Sequence, residues 1–376
     1  MAAVFIWSRY LAAQPGDGRL LAFSLLSGAA FGAVLQRSRF CFLCITRDFL
    51  HGDDARGLLG LLAALAVGTL GYHALFGAFL PIPASPRLPP GAHIGPVSWV
   101  LALGAAVFGL GMAISGSCIS AHLYRLGEGS LASPFALLGA GLGFVLGFAS
   151  WNFLYLAAIQ QAPVLWLPHH LGYGGSALLQ LLLLGALAAW LLRRHRAGQP
   201  QAAPPPTGLR QALLGPRWPA YVGGILVGFI GVLAYLRAAP LGVTAELGSL
   251  ARTAAAAQGW LPARLQGLDG FAGCATAIKQ TLWSHNGLFV LALVAGAWAS
   301  ALAAGEFRPR APGLREIARN LAGGVLMGWG AMVALGCTVG TLLSGIMAGA
   351  LSGWLFGLFC LAGIWLGLSL RGRAQH

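Results

Sequence analysis

The sequence predicts an all-α, polytopic membrane protein of about nine transmembrane helices. Three observations predict it: too few charges for a water-facing surface, a series of apolar runs of membrane length, and glycine concentrated inside those runs. Hydrophobic residues make up 57% of the 376 and charged residues only 9%, and the mean hydropathy is +0.76. A soluble domain carries about 25% charged residues, so this chain finds enough apolar surroundings only in lipid. Its 56 glycines would weaken helices in water. In a bilayer, small residues let helix backbones approach closely and hold a bundle together.

About 20 apolar residues cross the hydrocarbon. Taken in order, the runs are 20–36, 57–80, 97–115, 131–159, 171–192, 219–236, 286–303, 318–335 and 350–370. The first is the shortest of the N-terminal group and is followed by Arg37, Arg39 and Arg47; Arg56 precedes the second. The third carries Gly104, Gly109 and Gly111, and the loop between the fourth and fifth, 160–172, has no arginine. After the fifth come Arg193, Arg194, His195 and Arg196, then a linker containing Pro204, Pro205 and Pro206. Arg308, Arg310, Arg315 and Arg319 precede the eighth, and Arg371 and Arg373 follow the ninth. Basic loops stay cytoplasmic, so this pattern predicts an outside N-terminus and a cytoplasmic C-terminus. The loop 237–284 strains the rule, since it places three arginines and Lys279 outside. The expected organisation is one integral membrane domain in two halves, 1–193 and 218–376, joined by a Pro- and Arg-rich linker, 194–217.

The net charge of +14 is almost all arginine. A basic soluble protein would suggest nucleic acid, but these arginines sit at the ends of apolar runs and no basic stripe with interleaved aromatics is present. No nucleic-acid partner is expected; the lipid bilayer is. The N-terminus shows no short apolar run with a small-residue cleavage site, so no cleaved leader is expected. No GxxxxGK[ST] motif occurs, so ATP does not drive transport within this chain. Cys41 and Cys44 form one CxxC, and nothing completes a metal set around it. Neither metal nor cofactor is expected.

Two segments match without a gap. Gly104, Gly109, Gly111 and Cys118 align with Gly323, Gly328, Gly330 and Cys337, and Ser133 aligns with Ser352. The predicted topology makes them antiparallel, an inverted repeat of the kind that places a substrate site between broken helices. The stretches after each cysteine, 119–122 and 338–341, read as re-entrant half-helices. A third segment, Gly273-Cys274-Ala275-Thr276, is locally similar. A small residue, a cysteine and a nearby hydroxyl thus recur as Ser117-Cys118, Gly273-Cys274 and Gly336-Cys337-Thr338. Small residues at a helix start leave N–H groups free for anions, and the thiol adds a soft, polarisable contact.

These residues carry a resemblance to the YeeE/YedE family of thiosulfate transporters. Its carriers are Gly116–His122, Phe271–Thr276, Gly336–Gly340 and Arg39-Phe40-Cys41-Phe42, and it extends over about 20–370. The resemblance implies a bacterial inner-membrane permease with an hourglass interior, in which Cys118, Cys274 and Cys337 pass thiosulfate along by S–H···S contacts. It also implies a small cytoplasmic sulfurtransferase as partner. The sequence departs from the family at Ser117-Cys118-Ile119-Ser120-Ala121-His122, where relatives often read Gly-Cys-Thr-Ser-Gly-His. Ile119 and Ala121 make that entrance bulkier and bear on substrate identity.

Thiosulfate differs from sulfate by one soft sulfur, which a weak S–H donor suits better than it suits oxygen. Fixed dipoles must replace the lost hydration. Neutral thiols serve, because a thiolate would repel the anion. His122 lies one turn after Cys118 and either bonds the anion or is a structural histidine. Cys41 and Cys44, Arg39 near one mouth and Lys279 near the other are secondary candidates, with packing, topology and solvation as their plain readings. Cys360 reads as packing. A carrier of sulfite, sulfide or a selenium compound is the alternative within transport. A membrane thiol sulfurtransferase is disfavoured, since no catalytic base pairs with most of the cysteines.

Overall fold

The computed structural model describes residues 2–83, 87–195, 217–262, 264–268, 276–279, 281 and 283–373. Nearly all of the expected linker, 196–216, lies outside them. Among the described residues the secondary structure is helical, with isolated backbone bridges only, at 96 to 164, 130 to 310 and 166 to 350. In chain order the helices are α1 (Ala2–Ala12), α2 (Gly18–Ser38), α3 (Phe42–Gly52), α4 (Arg56–Phe79), α5 (Trp99–Ser115), α6 (Ile119–Gly127) and α7 (Ser133–Leu154). A π-helical turn, Tyr155–Ile159, ends α7. There follow α8 (Leu167–Arg194), α9 (Ala220–Arg237), α10 (Val243–Ala257), α11 (His285–Ala303) and α12 (Leu314–Val333). The short α13, Thr338–Met347, begins as π-helix, and α14 (Leu351–Arg373) closes the chain.

All nine expected spans are helices. Eight are long and apolar enough to cross a membrane, and α12 becomes a ninth when joined to α13 across a bend of 42°. The physical reason is local: Arg315, Glu316 and Arg319 occupy the first turns of α12, so apolarity begins only after them. The chain is therefore a multi-pass membrane protein. The short α1 lies outside the expected spans. It exposes Phe5, Ile6 and Tyr10, packs on α2, and sets Trp7 edge-on to Trp283 at 5.6 Å.

Glycine decides how the helices meet. α5 and α12 run antiparallel, with Gly104 beside Gly330 and Gly111 beside Gly323. A Cβ on Gly111 would come within 2.7 Å of the Gly323 carbonyl oxygen. Four further pairs pack closely, α2 with α11, α4 with α9, α5 with α14 and α7 with α12, and in each a glycine lies against the partner's backbone: Gly28 on Phe289, Gly60 on Ala220, Gly109 on Cys360, Gly143 on Val325. Close backbone approach of this kind is the main source of cohesion where lipid competes for every apolar side chain.

Candidate functional site

Three turns among the described residues share one construction. A long helix ends in a left-handed residue: Arg39 (φ 53), Gly116 (φ 89) or Leu335 (φ 56). Two residues later a cysteine in extended conformation caps a short helix, Cys41 before α3, Cys118 before α6 and Cys337 before α13. Each cysteine carbonyl accepts the first helical bond, from Ile45, His122 and Thr341 at 3.0, 2.9 and 2.8 Å. A second long helix then follows. Cys41, Cys118 and Cys337 are all buried, at 0, 2 and 2% exposure, so each short helix presents its first N–H groups and a thiol inside the protein. The left-handed Arg39 and Leu335, which end their helices, cost about 1–3 kcal/mol each.

The first two turns meet. The Cys41 thiol neighbours those of Cys44 and Cys118. Cys118 Sγ also lies 3.3 Å from Ser120 Oγ. Arg125, on α6, closes the group: one guanidinium nitrogen donates to Cys44 Sγ at 3.3 Å, the other to the Gly116 carbonyl at 3.4 Å. Ser117 is buried and donates to the Gly116 carbonyl at 2.7 Å. All of these thiols are free. The Cys337 turn lies at the other end of the α5/α12 contact, since Ala334 packs by Gly104 while Ser115 packs by Gly323. Cys360 of α14 is buried as well. Gly336 (φ 154) leaves no room for a Cβ, which would strike Thr341 Oγ1, and Thr338 is buried in the first turn of α13.

His122 is buried with both ring nitrogens engaged, by Ser133 Oγ at 3.4 Å and Ser115 Oγ at 3.3 Å. It braces the end of α5 against the start of α7. Gly273 and Cys274 lie outside the described residues. Arg39 belongs to a polar knot beside the Cys41 turn. Its guanidinium lies 3.5 Å from Glu128 and 3.8 Å from Glu306, Gln36 donates to both carboxylates at 3.3 and 2.7 Å, and Ser300 donates to Gln36 at 2.9 Å. Burial pushes the Glu128 carboxyl up. Burial works the same way on Glu306, but hydrogen bonds from Gln36 and Arg217 outweigh it and hold that carboxyl down. Lys279 is mostly buried, with its ammonium paired to Glu246.

Two features escaped the sequence reading. Arg125 bonds a thiol, though its spacing from Cys44 carries no signal. The Cys41 unit repeats the Cys118 unit, and the shared interval was visible: 15 residues separate Cys41 from Arg56, which opens α4, and Cys118 from Ser133, which opens α7.

Long apolar helices interrupted at buried turns, each turn opening a short helix inside the protein, define a multi-pass membrane protein with broken helices. The chain belongs to the sulphur-transport family (YeeE/YedE), whose model matches residues 37–366. It is similar to the thiosulfate transporter TsuA of Escherichia coli (strain K12), at 29% identity over 350 residues, covering 91% of this chain and 92% of that one. It is similar to the thiosulfate transporter TsuA of Spirochaeta thermophila at 29% over 348 residues, 91% and 96% of the two chains. A probable transporter YedE of Escherichia coli (strain K12) is 32% identical over 187 residues, 49% of this chain and 44% of that one.

Proposed function

We propose that this protein takes up thiosulfate across a bacterial inner membrane through a thiol-lined path. The observation that carries the reading is the recurrence of one turn, left-handed residue then buried N-cap cysteine, at Cys41, Cys118 and Cys337. Each such turn offers an anion two things. Helix-start N–H groups replace lost hydration without net protein charge, and a neutral S–H suits the terminal sulfur better than sulfate's oxygens. Multiple weak sites in series allow entry and release, which a single tight clamp would prevent. Cys118 and Cys337 stand at opposite ends of the α5/α12 contact, with the Cys41–Cys44 thiols continuing the path beside Cys118 and the Gly273-Cys274 motif supplying a further step. Ser117, Gly336 and Thr338 shape the turns, and His122 fixes the α5–α7 corner.

In this reading the antiparallel α5 and α12 units form an inverted repeat around an hourglass waist. The N-terminus lies outside and the C-terminus inside, so the Arg39 mouth faces the cytoplasm, where a small sulfurtransferase receives the cargo. The relatives named thiosulfate transporter support the cargo assignment. Buried Ile119 and Ala121, bulkier than the family's usual residues, favour testing sulfite and selenium oxyanions as second cargoes.

The test is uptake of sulfur-labelled thiosulfate into proteoliposomes, with excess unlabelled sulfate, for wild type and Cys118→Ser. Uptake that resists sulfate and falls at least about tenfold in the variant, a loss of about 1.4 kcal/mol, supports the reading. Absence of uptake by folded wild type overturns it.

A further inference from the structure

Lys279 is the one lysine of the chain, and it sits apart from the cysteine turns. A cavity of about 340 Å³ opens between α10, the segment before α11 and the first residues of α11, and Glu246, Ser249, Lys279, Ser284, His285 and Asn286 line it. The Lys279 ammonium donates to the Glu246 carboxylate and to Ser284 Oγ, at 2.9 Å. The two charged side chains are 8 and 7% exposed. Apolar residues of the same volume would be as stable as a buried ion pair, so stability alone does not account for this one.

We propose that this cavity is a proton-linked binding site for the oxyanion cargo: Lys279 and the start of α11 hold the anion while Glu246 releases Lys279 and accepts a proton from solution. The inference rests on reading the chain as an oxyanion carrier and adds to it a loading site and a coupling ion. Space permits it, since a water's share of liquid is about 30 Å³ and a five-atom tetrahedral ion fits here with several waters. The helix start suits it: Ser284 caps α11 by accepting from the Gly287 N–H at 3.0 Å, and the neighbouring N–H groups have no helical partner. Charge then demands the proton. One ammonium serves one anion, and a dianion beside an ionised carboxylate is repelled. Moving one proton from solution onto Glu246 per anion bound removes the repulsion and frees the ammonium.

Among the described residues of the helices packed on α10, no other charge does this; Arg315 of α12 is exposed. Of the helices packed on α10, α7 and α13 carry no charged residue. On α12, Glu316 is paired with Arg310 and Arg319 donates to the Ile114 carbonyl. On α6, Arg125 is held by Cys44 and Gly116, and His122 by two serines. On α10 itself Arg252 donates to the Thr276 carbonyl. His285 lines the cavity at its exposed edge and is the remaining titratable residue among its described lining.

The test is calorimetric titration of the purified, detergent-solubilised protein with sodium thiosulfate, in buffers of different ionisation enthalpy, from about pH 5 to about pH 8. Wild type is expected to bind more weakly as pH rises, by up to about tenfold per unit, with close to one proton taken up per anion. Glu246→Gln is expected to keep binding with a flat profile and no proton uptake, and Lys279→Met to lose the proton-linked binding. The double variant Glu246→Gln/Lys279→Met removes both charges together, leaves no lone buried charge to unfold the protein, and is expected to lose that binding too. An unchanged pH profile in Glu246→Gln, or wild-type affinity in the double variant, overturns the site while leaving the thiosulfate reading intact. Binding of sulfite or selenite without thiosulfate, with a proton linkage that Glu246→Gln abolishes, supports the site and sinks the cargo assignment. Binding of none of the three overturns the site.

Discussion

At the scale of single residues, the cysteine turns divide into atoms that meet cargo and atoms that hold shape. Cys337→Ser exchanges a soft donor for a hard one with little change in volume. It is expected to keep the fold and cut thiosulfate uptake about tenfold, by about 1.4 kcal/mol, whereas Cys360→Ser in mid-helix leaves uptake near wild type; the proteoliposome assay measures both. Gly336→Ala acts on shape. Its φ of 154° and the collision of a Cβ with Thr341 Oγ1 predict a loss of about 1–3 kcal/mol, read as a lower Tm in detergent. The carboxylates beside Arg39 make opposite contributions to pH dependence. Glu128 holds its proton more tightly folded than unfolded, so its contribution falls as pH rises above the ordinary 4.5. Glu306 holds its proton less tightly, so its contribution is lost as pH falls through its lowered value. Glu128→Gln is expected to flatten the first slope and Glu306→Gln the second, in thermal unfolding scanned from about pH 2.5 to about pH 7. Cys118 and Cys337 were legible as candidates because a rare residue recurred at fixed spacing from three glycines. The Lys279–Glu246 pair was not, because its partners stand 33 residues apart on segments whose packing no periodicity announces.

At the scale of elements, length and apolarity marked the spans, since both are set by the bilayer and hold whatever the neighbours are. Contacts between helices were partly legible. The α5 and α12 units share glycines because they face each other, and that shared demand wrote the same spacing twice. The α2–Cys41–α3 unit kept the turn but spends its glycines, Gly28 and Gly32, on α11, so its kinship left no matching glycine pattern. Gly111→Leu drives a side chain into the α12 backbone and is expected to destabilise by about 1–3 kcal/mol or more. A Cβ at Gly141, on α7, would meet no atom within 4 Å, so Gly141→Leu is the matched control and is expected to be tolerated. Size-exclusion profiles and thermal unfolding in detergent distinguish the two.

At the scale of the whole molecule, orientation is the proposal that most directly fixes which mouth is which. A cysteine at exposed Gln161, in the arginine-free loop after α7, is expected to react with an impermeant maleimide on intact cells, and one at exposed Gly313, before α12, only after the membrane is opened. The reverse labelling would invert the proposed path. The helix pairing carries a consequence for biogenesis. α2, α4, α5 and α7 each lie backbone to backbone with a helix from beyond residue 216. While the ribosome is still making the second half, the first half stands in the membrane with its glycine grooves open to lipid. Neither half owns a finished interior, so an isolated first half should be recognised as unfinished and degraded, while two halves made as separate chains should find each other and assemble.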